Sequence, residues 1–245
     1  VVALIGAGAG TAQVANATVH AAERGLNLAA GDAGLVQTVW LLTQLPLAAR
    51  SPNFAEGLRD AGLDVSDTPT LMEVVGAVSD AIDARLTRTG GRTDLGEMAQ
   101  MAAVETISHE VGRETKSLFG VSSEDVKGAF SKLATRKQFS SFARSFFSRL
   151  TNKCLGYFLS RSMSYHVGEG QRFTTLAQQS QFSKALGLHC HEASRIVEEF
   201  CGEWFRKKVW KQQSDISRQD AAGFAHVAMQ KISAELKEGA RPDGE

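Results

Sequence analysis

His189, Cys190, His191 and Glu192, with Cys201 further along, are the one run in this 245-residue chain whose side chains are of the types that bind a transition metal. Zinc requires three or four such ligands converging tetrahedrally. On a helix, positions 189 and 191 diverge by about 200°, so they converge only if the segment is extended or turned. The zinc-protease pattern wants a second histidine four residues after the first. Arg195 stands there after His191, and Arg113 after His109-Glu110. His189, Cys190 and His191 are therefore the candidate metal ligands, and the expectation is that no metal or other cofactor is bound.

Nucleophilic chemistry has no sequence signature. There is no GxSxG elbow and no phosphate-binding P-loop, and the three cysteines lack a local motif, although a Cys/His pair could still form in space. Glu110 with Glu114, and Glu198 and Glu199 with Glu203, recur at helical-turn spacing, where acids ordinarily face solvent. The reading leans away from an enzyme.

Gly6, Gly8 and Gly10 follow the apolar run Val1–Ile5. One reading is a strand, a glycine turn and a helix N-terminus that binds a dinucleotide phosphate, with Asp32 as the later acid. Thr11 stands where that fingerprint has its third glycine, and no alternating strands follow. A second reading is a small-residue helix with Gly6 and Gly10 at a close crossing. A third is the end of a membrane-active segment, against which Gln13 and Asn16 argue.

The stretch from Val126 to Gly168 contains no acid. Lys127, Lys132, Arg136, Lys137, Arg144, Arg149, Lys153 and Arg161 alternate there with eight aromatic residues. A second basic run, Arg206-Lys207-Lys208-Val209-Trp210-Lys211, lies nearer the C-terminus. Basic residues recruit phosphate by counterion release, and exposed aromatics stack on bases. However, Phe139, Phe142, Phe146, Leu150 and Cys154 fall at steps of three or four, with Phe147, Leu155, Phe158 and Leu159 widening the face. That is core spacing. The aromatics are assigned to the interior and the charge to a solvated face. The candidate partner-binding residues are Lys127, Lys132, Arg136, Lys137, Arg144, Arg149, Arg206, Lys207, Lys208 and Lys211.

The elements that must position these groups read as helices. Four prolines are few, and residues that favour helix are abundant. Leu35–Leu47 is a buried helix closed by Pro46, and Asn53–Ala61 is a short one. Thr70 and Glu73 form a capping box ahead of an amphipathic helix ending near Arg88. Asp94 with Glu97 repeats that pattern before a long helix to about Phe119-Gly120, and Ser122 caps the next. Residues 138–164 form a central helix. Helices are then expected over 174–186, over 189–211 and from Ser217, with a disordered tail after Gly239. The fold class is mainly α, a multi-helical bundle of about nine or ten helices with little or no sheet.

Gly90-Gly91 divides the chain into an acidic, Gly/Ala-rich part (1–90) and a basic, aromatic-rich bundle (91–245), which can pack as one globule. Residues 1–100 hold eleven Asp/Glu against six Arg and no Lys, whereas residues 101–245 hold 21 Lys/Arg against 16 Asp/Glu. An odd number of cysteines without CxxC fits reduced thiols in the cytoplasm. The chain opens on Val1 rather than Met, and further residues are expected upstream. These features lead to the expectation of a non-enzymatic adaptor or structural subunit of an intracellular complex, contacting an acidic protein partner or another copy through a basic helix face. The alternative is a nucleic-acid-binding protein using the basic residues of 127–161 and 206–211. A membrane partner is not expected, since anionic lipid would require apolar residues exposed beside the charge.

Overall fold

The structure, a computed structural model, describes residues 2–27, 31–115, 121–211 and 215–238. The mainly α expectation holds: the described residues contain helices and no β-strand, with one isolated bridge between Val167 and Phe173. The helices are α1 (Val2–Gly6), α2 (Thr11–Asn27), α3 (Ala33–Ala48), α4 (Phe54–Asp60), α5 (Leu71–Arg88), α6 (Asp94–Glu114), α7 (Ser123–Lys132), α8 (Arg136–Met163), α9 (Leu176–Ala193), α10 (Arg195–Arg206) and α11 (Arg218–Glu238). A 3-10 turn (Ser164–His166) follows α8, and a π-helical turn (Lys207–Lys211) follows α10.

Local chemistry starts many of these helices where the sequence says it should. The first turn of a helix has unpaired N–H groups, and a side-chain oxygen one residue before it satisfies one of them. Asn53 accepts from the Glu56 N–H, Thr70 from Glu73 and Ser122 from Asp125, the last two as capping boxes. Three expectations shift. Thr93, not Asp94, caps α6. Pro46 lies inside the last turn of α3 rather than ending it. The helix expected from residue 174 runs on to Ala193, and the break falls at Ser194 instead of near Gly187. Gly187 stays helical, and a Cβ there would stand in ordinary contact with the Asn152 amide of α8, at 3.7 Å. α6 ends at Glu114, with Thr115 as its C-cap, earlier than the end expected near Phe119-Gly120, and the tail after Gly239 lies outside the described residues.

Three capping carboxylates have pKa values held below the ordinary range. Glu73 owes this first to the Ser66 N–H, Asp125 to the Ser122 hydroxyl, and Asp220 to the Lys208 ammonium and then to Ser217. A carboxyl with a folded pKa below its unfolded value stabilises the fold above the unfolded pKa. That stabilisation is lost as pH falls through the lower, folded value. Urea-unfolding midpoints should therefore hold level on the alkaline side of about pH 5 and fall below about pH 4. Asp220→Asn should flatten part of that fall, and an unchanged acid limb in this variant would remove Asp220 from the account.

α8 is the central helix, as its length and aromatic stripe suggest. It contacts α1, α2, α6, α9 and α10. Phe139, Phe142, Phe146, Phe147, Leu150, Cys154, Leu155 and Leu159 are all buried along it. Phe158, expected on the same buried face, is instead exposed beside Tyr157, whose hydroxyl donates to Asp94 at 2.8 Å. The second hub is α3, which packs on α4, α5, α6, α7 and α11. α11 contacts α2, α3, α9 and α10, and the apolar core is continuous across Gly90-Gly91.

The glycine-rich opening is helical on both sides, with Gly8 at φ +79° between α1 and α2. The strand required by the dinucleotide reading is therefore missing from that place. The Ile5 and Ala9 carbonyls there accept from the Arg172 guanidinium, which also lies over the Phe182 ring at 4.8 Å. No helix among the described residues is long and apolar enough to cross a membrane.

Candidate functional site

The candidate metal ligands do not converge. His189, Cys190 and His191 are consecutive residues of α9: His189 is half-buried, Cys190 is fully buried and His191 is exposed. Among the described residues no group of three or more His, Cys, Asp or Glu side chains could hold a metal ion. Burial lowers the pKa of His189. It pushes the thiols of Cys154 and Cys190 up to about 12 and that of Cys201 well above its ordinary value. Because the thiolate is the reactive form, all three are positioned as core residues.

The basic face of the acid-free stretch is largely neutralised by neighbouring helices. Lys132 pairs with Glu114 of α6 at 2.7 Å, and Lys153 pairs with Glu105 of the same helix at 2.6 Å. Arg149 donates to the Ser145 carbonyl and hydroxyl, and that hydroxyl donates to Glu110. On the other flank Arg144 reaches Glu198 at 3.0 Å and Glu192 at 3.6 Å, and donates to the His191 carbonyl. Lys208 pairs with Asp220 at 2.6 Å, and Lys127 donates to the Pro52 carbonyl at 3.2 Å. Every carboxylate in this set belongs to residues 101–245. For these residues the acidic first hundred are not the counter-charge.

One corner differs. The first turn of α8 and the last turn of α10 meet there because the rings of Phe139 and Phe205 stack with centroids 3.9 Å apart. Gly202 makes this approach possible, since a Cβ at that position would lie 2.6 Å from Arg136 Cγ and 2.5 Å from Ser140 Oγ. Arg136 and Arg206 consequently share one acid, Glu203, at 2.6 and 2.9 Å. Arg136 and Arg206 are exposed here and line a cleft with Ala134, Thr135 and Phe205, and their chain neighbours Lys137 and Lys207 are exposed as well. The structure thus brings together the ends of two basic runs that are remote in sequence. Lys127, Arg144 and Arg149 take other partners: the Pro52 carbonyl, the acids of α9 and α10, and Ser145 of α8. The side chain of Lys211 lies outside the described residues.

Comparison with protein-family models, with curated proteins and with solved structures gave no match.

Proposed function

We propose that this protein is a non-enzymatic adaptor or structural subunit of an intracellular multi-protein complex, and that it takes an acidic segment of a partner at the α8/α10 corner. The observation that carries this reading is the convergence of exposed Arg136 and Arg206 on a single shared carboxylate, Glu203, with exposed Lys137 and Lys207 next to them in the chain. The stem of Arg136 lies against α10 at the Gly202 crossing, so part of the ordering cost of binding is met before a partner arrives. Exposed ion pairs contribute only about 0–1 kcal/mol to stability, so these residues can exchange Glu203 for a partner's acids at little cost to the fold. Nucleic acid is served less well here. The described ring next to these charges, Phe205, is buried against Phe139 and so offers no face on which a base could stack.

The test is a tagged pull-down with the parent chain and with a variant carrying Arg136→Gln, Lys137→Gln, Arg206→Gln and Lys207→Gln. The variant should melt close to the parent. Proteins crosslinked to the parent through an acidic segment should be lost from the variant. Retention of the same partners by the variant, or no partner for the parent, would overturn the proposal. Titration of a labelled oligonucleotide at rising salt forms the second arm. Salt-sensitive binding that disappears in the same variant would transfer the corner to nucleic acid.

A further inference from the structure

We propose that the segment bound at the α8/α10 corner carries an apolar side chain, which seats between Arg136 and Arg206 while acids on either side of it pair with the two guanidiniums. This rests on the acidic-partner reading of the corner and adds an apolar requirement to it. Packing places the two arginines. The stack of Phe139 on Phe205 brings the ends of α8 and α10 together, and a Cβ on Gly202 would stand 2.6 Å from Arg136 Cγ. An open cleft of about 430 Å³ lies there, lined by Ala134, Thr135, Arg136, Phe205 and Arg206. Its surface is mainly carbon. Ala134 and Phe205 are buried, so that carbon comes largely from exposed Thr135 and the stems of the two arginines. Long cationic side chains present apolar stems in this way while their heads stay in water.

The charge around the cleft calls for acids. α8 opens on Arg136 and Lys137 and has no acid in its first turn. Among the described helices it alone begins with two cations. The N-terminal end of a helix is the positive end of its dipole, where cations are disfavoured. Arg206 stands in the last turn of α10, where a cation is favoured, but Arg136 has no such support from α8. Among the described residues Glu203 is the one carboxylate paired with either arginine, at 2.6 and 2.9 Å, and two guanidiniums sharing one acid leave a positive charge over. The local fold accounts for neither the placement of Arg136 nor that surplus, and an acidic segment answers both.

Charge alone would hold such a segment weakly. Replacing Glu203 by a partner's carboxylate exchanges one exposed ion pair for another, and exposed pairs contribute little. Rim charges set the encounter rate and the orientation more than the affinity. Affinity comes from an anchor desolvated at the centre of a polar rim, and the carbon-walled cleft between the guanidiniums is that centre. A branched aliphatic side chain suits it better than a planar base, because Phe139 and Phe205 are both buried and present no open ring face. The partner sequence that fits is a leucine-like residue with Asp or Glu immediately before and after it.

Fluorescence anisotropy with the full chain tests this, using the labelled peptides GEDLDEG, GEDADEG and GSSLSSG. GEDLDEG should bind about tenfold more tightly than GEDADEG, as expected for burying the additional carbons of leucine, and GSSLSSG should not bind. Added salt should weaken both acidic peptides and preserve their ratio, since screening acts on charge and not on apolar burial. Arg136→Gln with Arg206→Gln should weaken both about tenfold or more. Thr135→Trp fills the cleft from an exposed position; it should melt near the parent and lose the preference for leucine while keeping that for acids. Retention of the full leucine preference in that variant would place the anchor outside the cleft and overturn the proposal. Equal affinity of the two acidic peptides, lost in the arginine variant, would overturn the apolar anchor and leave the acidic-partner reading standing. Binding of neither would overturn both. A labelled single-stranded oligonucleotide that binds more tightly than GEDLDEG, and is lost in the arginine variant, would also overturn the proposal and give the cleft to nucleic acid.

Discussion

Phe224→Ala should cost about 3–5 kcal/mol of unfolding free energy, the range for removing a buried aromatic ring. Phe224 of α11 is the meeting point of three other rings. It stacks on Trp204 at 4.3 Å, lies 5.5 Å from Phe200, and meets Phe147 of the central helix edge-on at 5.8 Å. The ring therefore ties α8, α10 and α11 together, and its removal leaves a cavity that three separate helices would have to move to fill. A domain of this kind has only about 5–15 kcal/mol in all, so the loss should show as a large drop in urea midpoint. Tyr165→Ala is the comparison. That ring is 78% exposed, and its removal should stay within about 0.5 kcal/mol. Equal effects of the two substitutions would refute the central role of Phe224.

Gly34→Ala should destabilise the protein by about 1–3 kcal/mol, the cost of forcing extra atoms into a filled space. Helix propensity alone predicts the opposite sign, since alanine is favoured over glycine inside a helix by about 1 kcal/mol. The difference lies in the crossing of α3 and α6. A Cβ on Gly34 would stand 2.6 Å from the Gly96 Cα and 2.9 Å from a Leu86 methyl. The first contact is with backbone, which cannot rotate away, so the helices themselves must part. That displacement would also strain the bond from the Thr93 hydroxyl to Asp32, 2.6 Å long, which joins the caps of the same two helices. Gly76→Ala supplies the control. Gly76 is exposed on α5, with nothing within 4 Å of an added methyl, and this substitution should stabilise by about 0.5–1 kcal/mol. Destabilisation by both substitutions, or by neither, would count against the tight crossing.

The parts of this fold that were legible in the sequence are those set by neighbours along the chain. The capping boxes at Thr70 and Ser122 need only residues three apart, and both form. The apolar period of α8 likewise sorts its phenylalanines inward until Phe158, where the neighbouring helices no longer cover the face. The gap expected between the helices over 174–186 and 189–211 is helical instead, because α9 packs on α8 through this region.

The charges were legible as residues and illegible as a site. A sequence shows that Arg144 and Arg136 are both cationic, but the counter-ion depends on which helix lies alongside. Arg144 faces two glutamates and a carbonyl, whereas Arg136 shares one glutamate with Arg206 in the open. Helicity, caps and the core stripe follow from interactions within a few residues, and the sequence by itself determined those. Which charges are cancelled and which remain available is a matter of distance in space. Coulomb energy depends on that distance and on burial, so only the packing of α8 and α10 decided it.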